Sequence, residues 1–223
     1  MGERGAWEVV WREEKKTLAL DGETVLEYQL RWPQVEGGWS GARRLSRGYE
    51  ALADRWRKRW RREVYCEACL QLAACREQAR PFAPWRCGLE GEVTVQEENC
   101  LGLKMQAQEE RGADGVCRVC WGDAWKVKEG APMLLREVLP RKWGWKTALC
   151  RQLTEQGEQL QRAGGCFLDS DWQKKLRTYL PAGDYCLYGD RVEFPFPQCT
   201  LAPAVEGTPI LWVPRPGGEG QGD

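Results

Sequence analysis

Apolar and polar residues alternate near the N-terminus in the way that predicts a β-hairpin. An apolar run at 18–20 and a longer run at 24–32 flank Asp21-Gly22, a dipeptide typical of two-residue hairpin turns. In the second arm, apolar side chains occupy every other position and polar ones lie between them. The apolar positions are Leu26, Tyr28, Leu30 and Trp32. This arm is therefore expected to bury one face.

A helical period follows, and it predicts one long helix over residues 42–79. Apolar side chains recur there at steps of three and four, as they do on the buried stripe of an amphipathic helix. The stripe contains Leu45, Tyr49, Leu52, Trp56, Trp60, Val64, Ala68 and Leu72. Pro81 and Pro84 end the pattern, because proline cannot continue a helix.

Between residues 92 and 127 the period returns to two, which predicts a three-stranded antiparallel meander with turns at Asn99 and at 112–115. The inward positions predicted for its middle strand are Leu101, Leu103, Met105 and Ala107. Two further helices are expected at 142–163 and at 171–180, and Gly164-Gly165 should stop the first of them.

The C-terminal stretch predicts a second hairpin followed by a closing strand. Aromatic and β-branched runs at 185–188 and 192–196 flank the turn dipeptide Gly189-Asp190, and another apolar run occupies 210–213. The whole chain is therefore expected to be α+β, with two lobes that each pack an antiparallel sheet against one or more helices. The expected boundaries are a hairpin and long-helix lobe at 1–88, a C-terminal lobe at 89–216 and a disordered tail at 217–223.

The same C-terminal stretch resembles a known family. Its aromatic strand, Gly-Asp turn, Phe-Pro-Phe and the string TLAPAVEGTPI are similar to the domain at the C-terminus of RsiV-type anti-sigma factors, which also occurs beside certain polysaccharide deacetylases. The matching positions are Tyr185, Leu187, Ala202, Pro203, Gly207 and Pro209, with a weaker match at Leu45, Ser46 and Tyr49. In characterised anti-sigma factors this domain recognises lysozyme. The resemblance therefore implies a non-enzymatic binding or sensing module whose ligand is a protein or a cell-wall-related molecule.

The composition excludes several kinds of binding and catalytic site. Thirty-three basic residues balance 33 acidic ones, so no overall charge draws the chain to nucleic acid or to an anionic membrane. The complete lack of histidine removes Ser-His and Cys-His catalysis and histidine-ligated metals. No cofactor is expected. The charged N-terminus has no apolar segment that would make a signal peptide or anchor, which predicts a cytoplasmic protein unless the chain is an excised extracellular domain.

Eleven cysteines raise the question of a zinc site. Cys66-x-x-Cys69 and Cys117-x-x-Cys120 offer four thiolates at a familiar spacing. The second pair, however, falls on a predicted strand, where a spacing of three directs the two side chains to opposite faces. We therefore expect no metal and interpret the cysteines mainly as small buried hydrophobic residues in a reducing compartment.

The sequence RWRKRWRR at 55–62 offers a second candidate surface, because basic residues interleaved with tryptophan are typical of contacts with nucleic acid. The basic positions are Arg55, Arg57, Lys58, Arg59, Arg61 and Arg62. Since Trp56 and Trp60 belong to the apolar stripe, the simpler interpretation is a solvated back of the helix. Nucleic-acid binding is kept as an alternative function.

A carboxylate-based hydrolase is the second alternative, because 33 acidic residues make some close pair unavoidable. The cluster at 169–171 is better interpreted as a helix start in which Asp169 or Ser170 caps free amides.

Thirteen tryptophans are the remaining candidates for recognition. Most are expected in the core. Trp39, Trp85, Trp143 and Trp145 lie next to glycine or proline, where exposed rings would form a candidate binding surface.

Overall fold

The structure is a computed structural model that describes residues 7–112, 115–139 and 144–216. Its strands are β1 (Glu8–Leu20), β2 (Glu23–Glu36), β3 (Trp85–Glu97), β4 (Cys100–Glu110), β5 (Val116–Lys126), β6 (Ala131–Pro132), β7 (Cys186–Leu187), β8 (Arg191–Pro195) and β9 (Ile210–Pro214). Its helices are α1 (Ser40–Arg59), α2 (Tyr65–Glu77), α3 (Leu135–Val138), α4 (Trp145–Arg162) and α5 (Trp172–Thr178). The α+β class expected from the sequence is confirmed. The expectations for Lys142, Trp143 and the tail at 217–223 fall outside the described residues.

The N-terminal hairpin and the meander belong to one six-stranded sheet with the order β1-β2-β3-β4-β5-β6. β1 and β2 pair antiparallel, as expected, but β2 and β3 pair in parallel from Leu26 opposite Trp85 to Leu30 opposite Leu89. The expectation of purely antiparallel lobes is corrected here. The long helical segment between β2 and β3 returns the chain in the direction in which it left, as a crossover between parallel strands requires.

The long helical segment is not a uniform α-helix, because a π-helical turn at Trp60–Val64 joins α1 to α2. Trp60, Val64, Ala68 and Leu72 are buried and recur at steps of exactly four residues. An α-helix of 3.6 residues per turn would rotate such positions progressively away from the sheet. The wider π turn restores the phase and keeps this row directed at the core.

Ser46 fixes the start of α1 against the end of β2. Its hydroxyl accepts a hydrogen bond from the Val35 amide at 2.9 Å and also lies 2.9 Å from the Val35 carbonyl oxygen, to which it can donate. Leu45 and Tyr49, on the neighbouring positions, are buried. The apolar-Ser-x-x-Tyr pattern therefore anchors the helix to the strand that precedes it.

The C-terminal hairpin and closing strand form a second, three-stranded sheet with the order β7-β8-β9. All its pairings are antiparallel, with Leu187 opposite Val192 and Phe194 opposite Leu211. α4 ends at Arg162, within one residue of the predicted end, and Gly164 follows with a φ of 67° that closes the helix. The N-cap of α5 is Asp171 and no side chain makes a cap hydrogen bond, so the expected capping by Asp169 or Ser170 is wrong. Lys175 instead bridges Asp169 at 2.8 Å and Asp171 at 2.9 Å.

The chain divides into two units. The first takes the residues up to Gly91 with Gln106–Cys117 and Lys128–Gly130, and the second takes Glu92–Met105, Arg118–Val127 and the chain from Ala131. β3, β4 and β5 thus contribute residues to both units. Among the described helices, none is both long enough and apolar enough to span a bilayer.

Candidate functional site

Two charged side chains, Glu109 and Glu193, are buried among the residues that the structure describes, with exposures of 4% and 7%. Burying a carboxylate costs free energy unless it is paired and hydrogen-bonded, so each of these two side chains requires cationic or hydrogen-bonding partners around it. Glu109 belongs to the first unit and Glu193 to the second. Each is described below with its own surroundings.

Glu109 lies in a closed ion-pair network. Arg59 donates from Nε to Oε1 at 2.8 Å, and Arg111 donates from Nη2 to Oε2 at 2.7 Å. The indole of Trp60 adds a third donor at 3.1 Å. Burial alone would raise the pKa of Glu109, but the hydrogen bonds from Arg59 and Arg111 outweigh it and hold this pKa below its ordinary value. A carboxylate held in this way is a structural anion and a poor proton donor at neutral pH.

Glu193 is held between two cations in the second unit. Arg191 donates from Nε at 2.8 Å, and the Lys104 ammonium lies 3.4 Å from the other carboxylate oxygen. Lys104 also lies 3.5 Å from the hydroxyl of Tyr188, which in turn donates to Glu92 at 3.3 Å. Burial would lower the pKa of Lys104, but Glu193 and the neighbouring thiols raise it, so the cation is retained.

The same cluster contains two cysteine thiols. Cys120 on β5 and Cys186 on β7 are both buried, and each thiol acts on the pKa of the other. The backbone around them is tightly packed: Gly122 donates its amide to the Asp184 carbonyl at 2.8 Å. A Cβ on Gly122 would overlap the backbone of Tyr185. The residue therefore has to be glycine for β5 and the 184–186 segment to meet.

A different surface is formed by two loops of the second unit. The amide of Asp169 donates to the Leu201 carbonyl at 2.9 Å, and burial and then the nearby Glu206 raise the pKa of Cys166. Phe167 and Val205, carried by these adjacent segments, are 67% and 90% exposed. We call these two side chains the apolar loop surface.

The loop that carries Val205 is fixed by core residues at one end and by hydrogen bonds to its backbone. Leu201 and Ala202 anchor it in the core of the second unit, and the backbone amide of Glu206 donates to the Pro203 carbonyl at 3.0 Å. The side-chain amide of Gln198 donates to the Ala204 carbonyl at 2.8 Å. An apolar side chain on a loop fixed in this way loses little conformational entropy when it is covered by a partner.

The tryptophans proposed as a binding surface do not share one environment. Trp85 is only 4% exposed and donates from its indole to Gln71 at 2.5 Å, so its ring faces the core. Trp39 is half-buried, with the Lys128 ammonium 5.2 Å from its ring centroid. Trp145 is partly buried against the core of the second unit. Trp143 lies outside the described residues.

The basic run on the helix is partly neutralised. Arg57 pairs with Glu14 at 2.9 Å and with Asp54, and Arg59 pairs with Glu63 and Glu109, both at 2.8 Å. Lys58 lies 3.3 Å from Asp54. The exposed members with no ion pair among the described residues are Arg55, Arg61 and Arg62. Half of the predicted basic face is therefore engaged within the protein.

The two CxxC pairs behave as their secondary structure predicts. Cys117 is exposed and Cys120 buried on the same strand, so their side chains lie on opposite faces. Among the described residues, no group of three Cys, Asp or Glu side chains is placed to hold a metal ion. Five of the eleven cysteines are buried, three are partly buried and three are exposed, so their interpretation as small buried hydrophobic residues holds for fewer than half of them.

Three grooves of the first unit are lined mostly by charged and polar residues, with few hydrophobic or aromatic ones. One, of about 310 Å³, is lined by residues that include Lys16, Tyr28 and Arg86, and an adjoining one of about 250 Å³ includes Arg31 and Gln108. A third, of about 710 Å³, lies between the end of β2 and the start of α1. Small-molecule sites are usually concave and mostly apolar, and these grooves do not have that character.

Sequence reasoning missed both buried carboxylates and the apolar loop surface. A signal for Glu109 was present, because the inward row of the middle meander strand, continued by one step of two from Ala107, reaches residue 109. A charged residue on an inward position predicts an ion-pair partner. Nothing comparable in the sequence marks Phe167 or Val205.

Comparison with known proteins identifies the fold. No family model matches the sequence, and no curated protein matches it. The structure is similar to a member of the DUF3298 family from Bacteroides fragilis, with a TM-score of 0.68, 13% identity and coverage of 94% of this chain and 91% of that one. It is also similar to a DUF3298 family protein from Pseudomonas aeruginosa PAO1, with a TM-score of 0.55, 14% identity and coverage of 95% and 91%. DUF3298 is a domain of unknown function, so this likeness shows a shared fold.

Proposed function

We propose that this protein is a non-enzymatic recognition module that binds a protein ligand through the apolar loop surface of Phe167 and Val205. The observation that carries the proposal is the position of Val205. It projects from the stretch TLAPAVEGTPI, on which the resemblance to the RsiV-type domain rests, and it is 90% exposed on an internally braced loop.

The likeness to DUF3298 proteins supports the architecture, since it extends over more than nine tenths of each chain. The link to RsiV-type anti-sigma factors rests on the sequence resemblance. On that resemblance, the ligand is a protein of the lysozyme class, with a cell-wall-related molecule as the second candidate.

The physical character of the loop surface also supports binding to a protein. Loops positioned by a rigid scaffold are where recognition residues concentrate, and aromatic side chains are over-represented among those that dominate binding energy. Phe167 supplies an exposed ring and Val205 an exposed branched side chain. Neither belongs to the core of the second unit, so both side chains are available to a partner.

The two alternatives receive less support. A carboxylate hydrolase needs a carboxyl group that can exchange protons, whereas Glu109 and Glu193 are each held by two cations. A nucleic-acid surface on the helix would rely on Arg55, Arg61 and Arg62, because the other basic residues of the run are paired within the protein.

Binding to immobilised hen lysozyme and sedimentation with purified peptidoglycan test the proposal. We expect lysozyme binding that Val205→Asp and Phe167→Ser each weaken by roughly tenfold or more, which corresponds to the loss of one central contact. Leu70→Asp is the matched control, because Leu70 is an equally exposed apolar residue on α2 in the first unit.

Each outcome decides between the candidates. Retention by peptidoglycan alone would replace the protein ligand with a cell-wall ligand. Equal loss in the Leu70→Asp control would show non-specific adhesion and remove the assignment of the surface. Failure to bind either would contradict the proposal and leave the fold alone.

A further inference from the structure

We propose that Cys120 and Cys186 form a redox-active dithiol that a hydroperoxide converts to a disulfide between β5 and β7. The inference is independent of the proposed binding function, since it concerns the interior of the second unit and not its loops.

The backbone geometry places the two side chains face to face. The Gly122 amide donates to the Asp184 carbonyl at 2.8 Å, so β5 and the 184–186 segment are in direct contact. Side chains two residues apart on a strand point to the same face, so Cys120 projects to the side on which Gly122 meets this segment. A Cβ on Gly122 would overlap the amide nitrogen of Cys186, so the two buried cysteines are neighbours, and each thiol acts on the pKa of the other.

The surroundings favour the thiolate of Cys120. Its pKa is lowered, first by the hydrogen bond that Cys186 donates and then by the Lys104 ammonium, against the opposing effect of burial. The pKa of Cys186 is raised by the same hydrogen bond and by burial. The charged groups that act on the pair are Lys104, Glu193 and Glu92. Because Cys120 also retains 9% exposure whereas Cys186 has none, we assign Cys120 as the attacking sulfur and Cys186 as the resolving one.

The chemistry balances in two steps. The Cys120 thiolate attacks one oxygen of hydrogen peroxide, the O–O bond breaks, and the departing hydroxide takes a proton and leaves as water, giving a sulfenic acid. The Cys186 sulfur then attacks the Cys120 sulfur and loses its proton. The S–O bond breaks and a second water leaves. Two thiols are oxidised and one peroxide is reduced to two waters.

A small oxidant suits the site because Cys120 retains 9% exposure whereas Cys186 has none. Two other buried thiols, which have no neighbouring thiol acting on them among the described residues, can be compared with the pair. Burial raises the pKa of Cys87 to about 12 and that of Cys100 to about 11, and neither has a second thiol among the groups that act on it. These two should stay reduced under conditions that oxidise Cys120.

Peptide mapping of the full chain after hydrogen peroxide treatment tests the proposal. The exposed thiols are first removed by Cys66→Ser, Cys117→Ser and Cys199→Ser. Trypsin then releases Cys120 in residues 119–126 and Cys186 in residues 178–191, and each of these peptides contains a single cysteine. We expect a cross-linked pair of these peptides, lighter than their sum by two hydrogen atoms, in most of the protein. Cys87 and Cys100 should still be alkylated after unfolding.

Two single variants extend the test. Cys186→Ser should lose the cross-link and leave the sulfenic acid on Cys120, which a dimedone probe traps. Cys120→Ser should leave Cys186 unoxidised. The proposal is overturned if Cys120 and Cys186 remain alkylatable in the parent chain, if either forms its disulfide with another cysteine, or if Cys87 and Cys100 are oxidised as fast. The mapping of the chain that keeps both Cys120 and Cys186 does not depend on whether these two single variants fold.

Discussion

The backbone amide of Gly122 and the carbonyl oxygen of Asp184 are joined by a hydrogen bond of 2.8 Å. This contact brings β5 against the chain just before β7, because no side chain intervenes at residue 122. The approach also places the thiols of Cys120 and Cys186 together. One glycine therefore determines how closely the two segments pack.

Gly122→Ala should destabilise the protein by about 3 kcal/mol, because the added methyl group would meet backbone atoms of Tyr185 that cannot rotate away. Urea unfolding followed by tryptophan fluorescence measures the change. Gly189→Ala is the control, since a Cβ at Gly189 meets no atom within 4 Å and should change stability by less than about 0.5 kcal/mol. Equal stability of the two variants would contradict the close approach.

The ion-paired carboxylate of Glu109 provides a second prediction. Glu109→Gln keeps the shape of the side chain but leaves Arg59 and Arg111 without their shared anion, so we expect a loss of about 2–3 kcal/mol. The figure lies at the low end for buried pairs because both guanidinium groups are partly exposed. The neighbouring Glu110→Gln should change the free energy of unfolding by less than about 0.5 kcal/mol.

Local sequence patterns predicted most of the helices and strands, but they did not predict the pairings between segments that are distant in the sequence. The period of two and the Gly-Asp turn were enough for the C-terminal hairpin, because a two-residue turn fixes which residues face each other. The parallel pairing of β2 with β3 has no local signal, since it depends on how a helical segment of nearly forty residues returns the chain. Cys120 was correctly assigned to a strand, but its partner Cys186 lies 66 positions away in the sequence.

The candidate site was harder to predict for the same reason. Tryptophans beside glycine and proline were expected to be exposed, yet the flanking Pro84 does not prevent Trp85 from starting β3 and turning its ring inward. Burial depends on the strand that carries the residue and on the layer that covers it. A flanking glycine or proline therefore gave no reliable measure of the exposure of a ring.

Lowering the pH should remove the contribution of Glu109 to the free energy of unfolding. Its folded pKa lies below the ordinary value of 4.5, so the stability that it contributes is complete above that value and is lost as the pH falls through the folded pKa. The free-energy difference between the parent protein and Glu109→Gln should thus be constant from about pH 7 to pH 5 and shrink below about pH 4. Urea unfolding of both proteins across this range measures it. A difference that grows on acidification would mean that the folded pKa of Glu109 lies above its ordinary value.

Two arginines of one basic run should differ sharply in their effect on stability. Arg59 donates two hydrogen bonds to Glu109, at 2.8 and 3.1 Å, whereas Arg61 is exposed and has no ion pair among the described residues. Arg59→Gln should cost about 1–3 kcal/mol, because a buried carboxylate is left with one guanidinium, and Arg61→Gln should cost less than about 0.5 kcal/mol. The two substitutions remove the same charge from the same helical segment, so any general effect of net charge cancels in the comparison. Combining Arg59→Gln with Glu109→Gln should cost less than the sum of the two single changes by at least about 1 kcal/mol, as expected for groups in direct contact. Additive losses would show that Arg59 and Glu109 act separately.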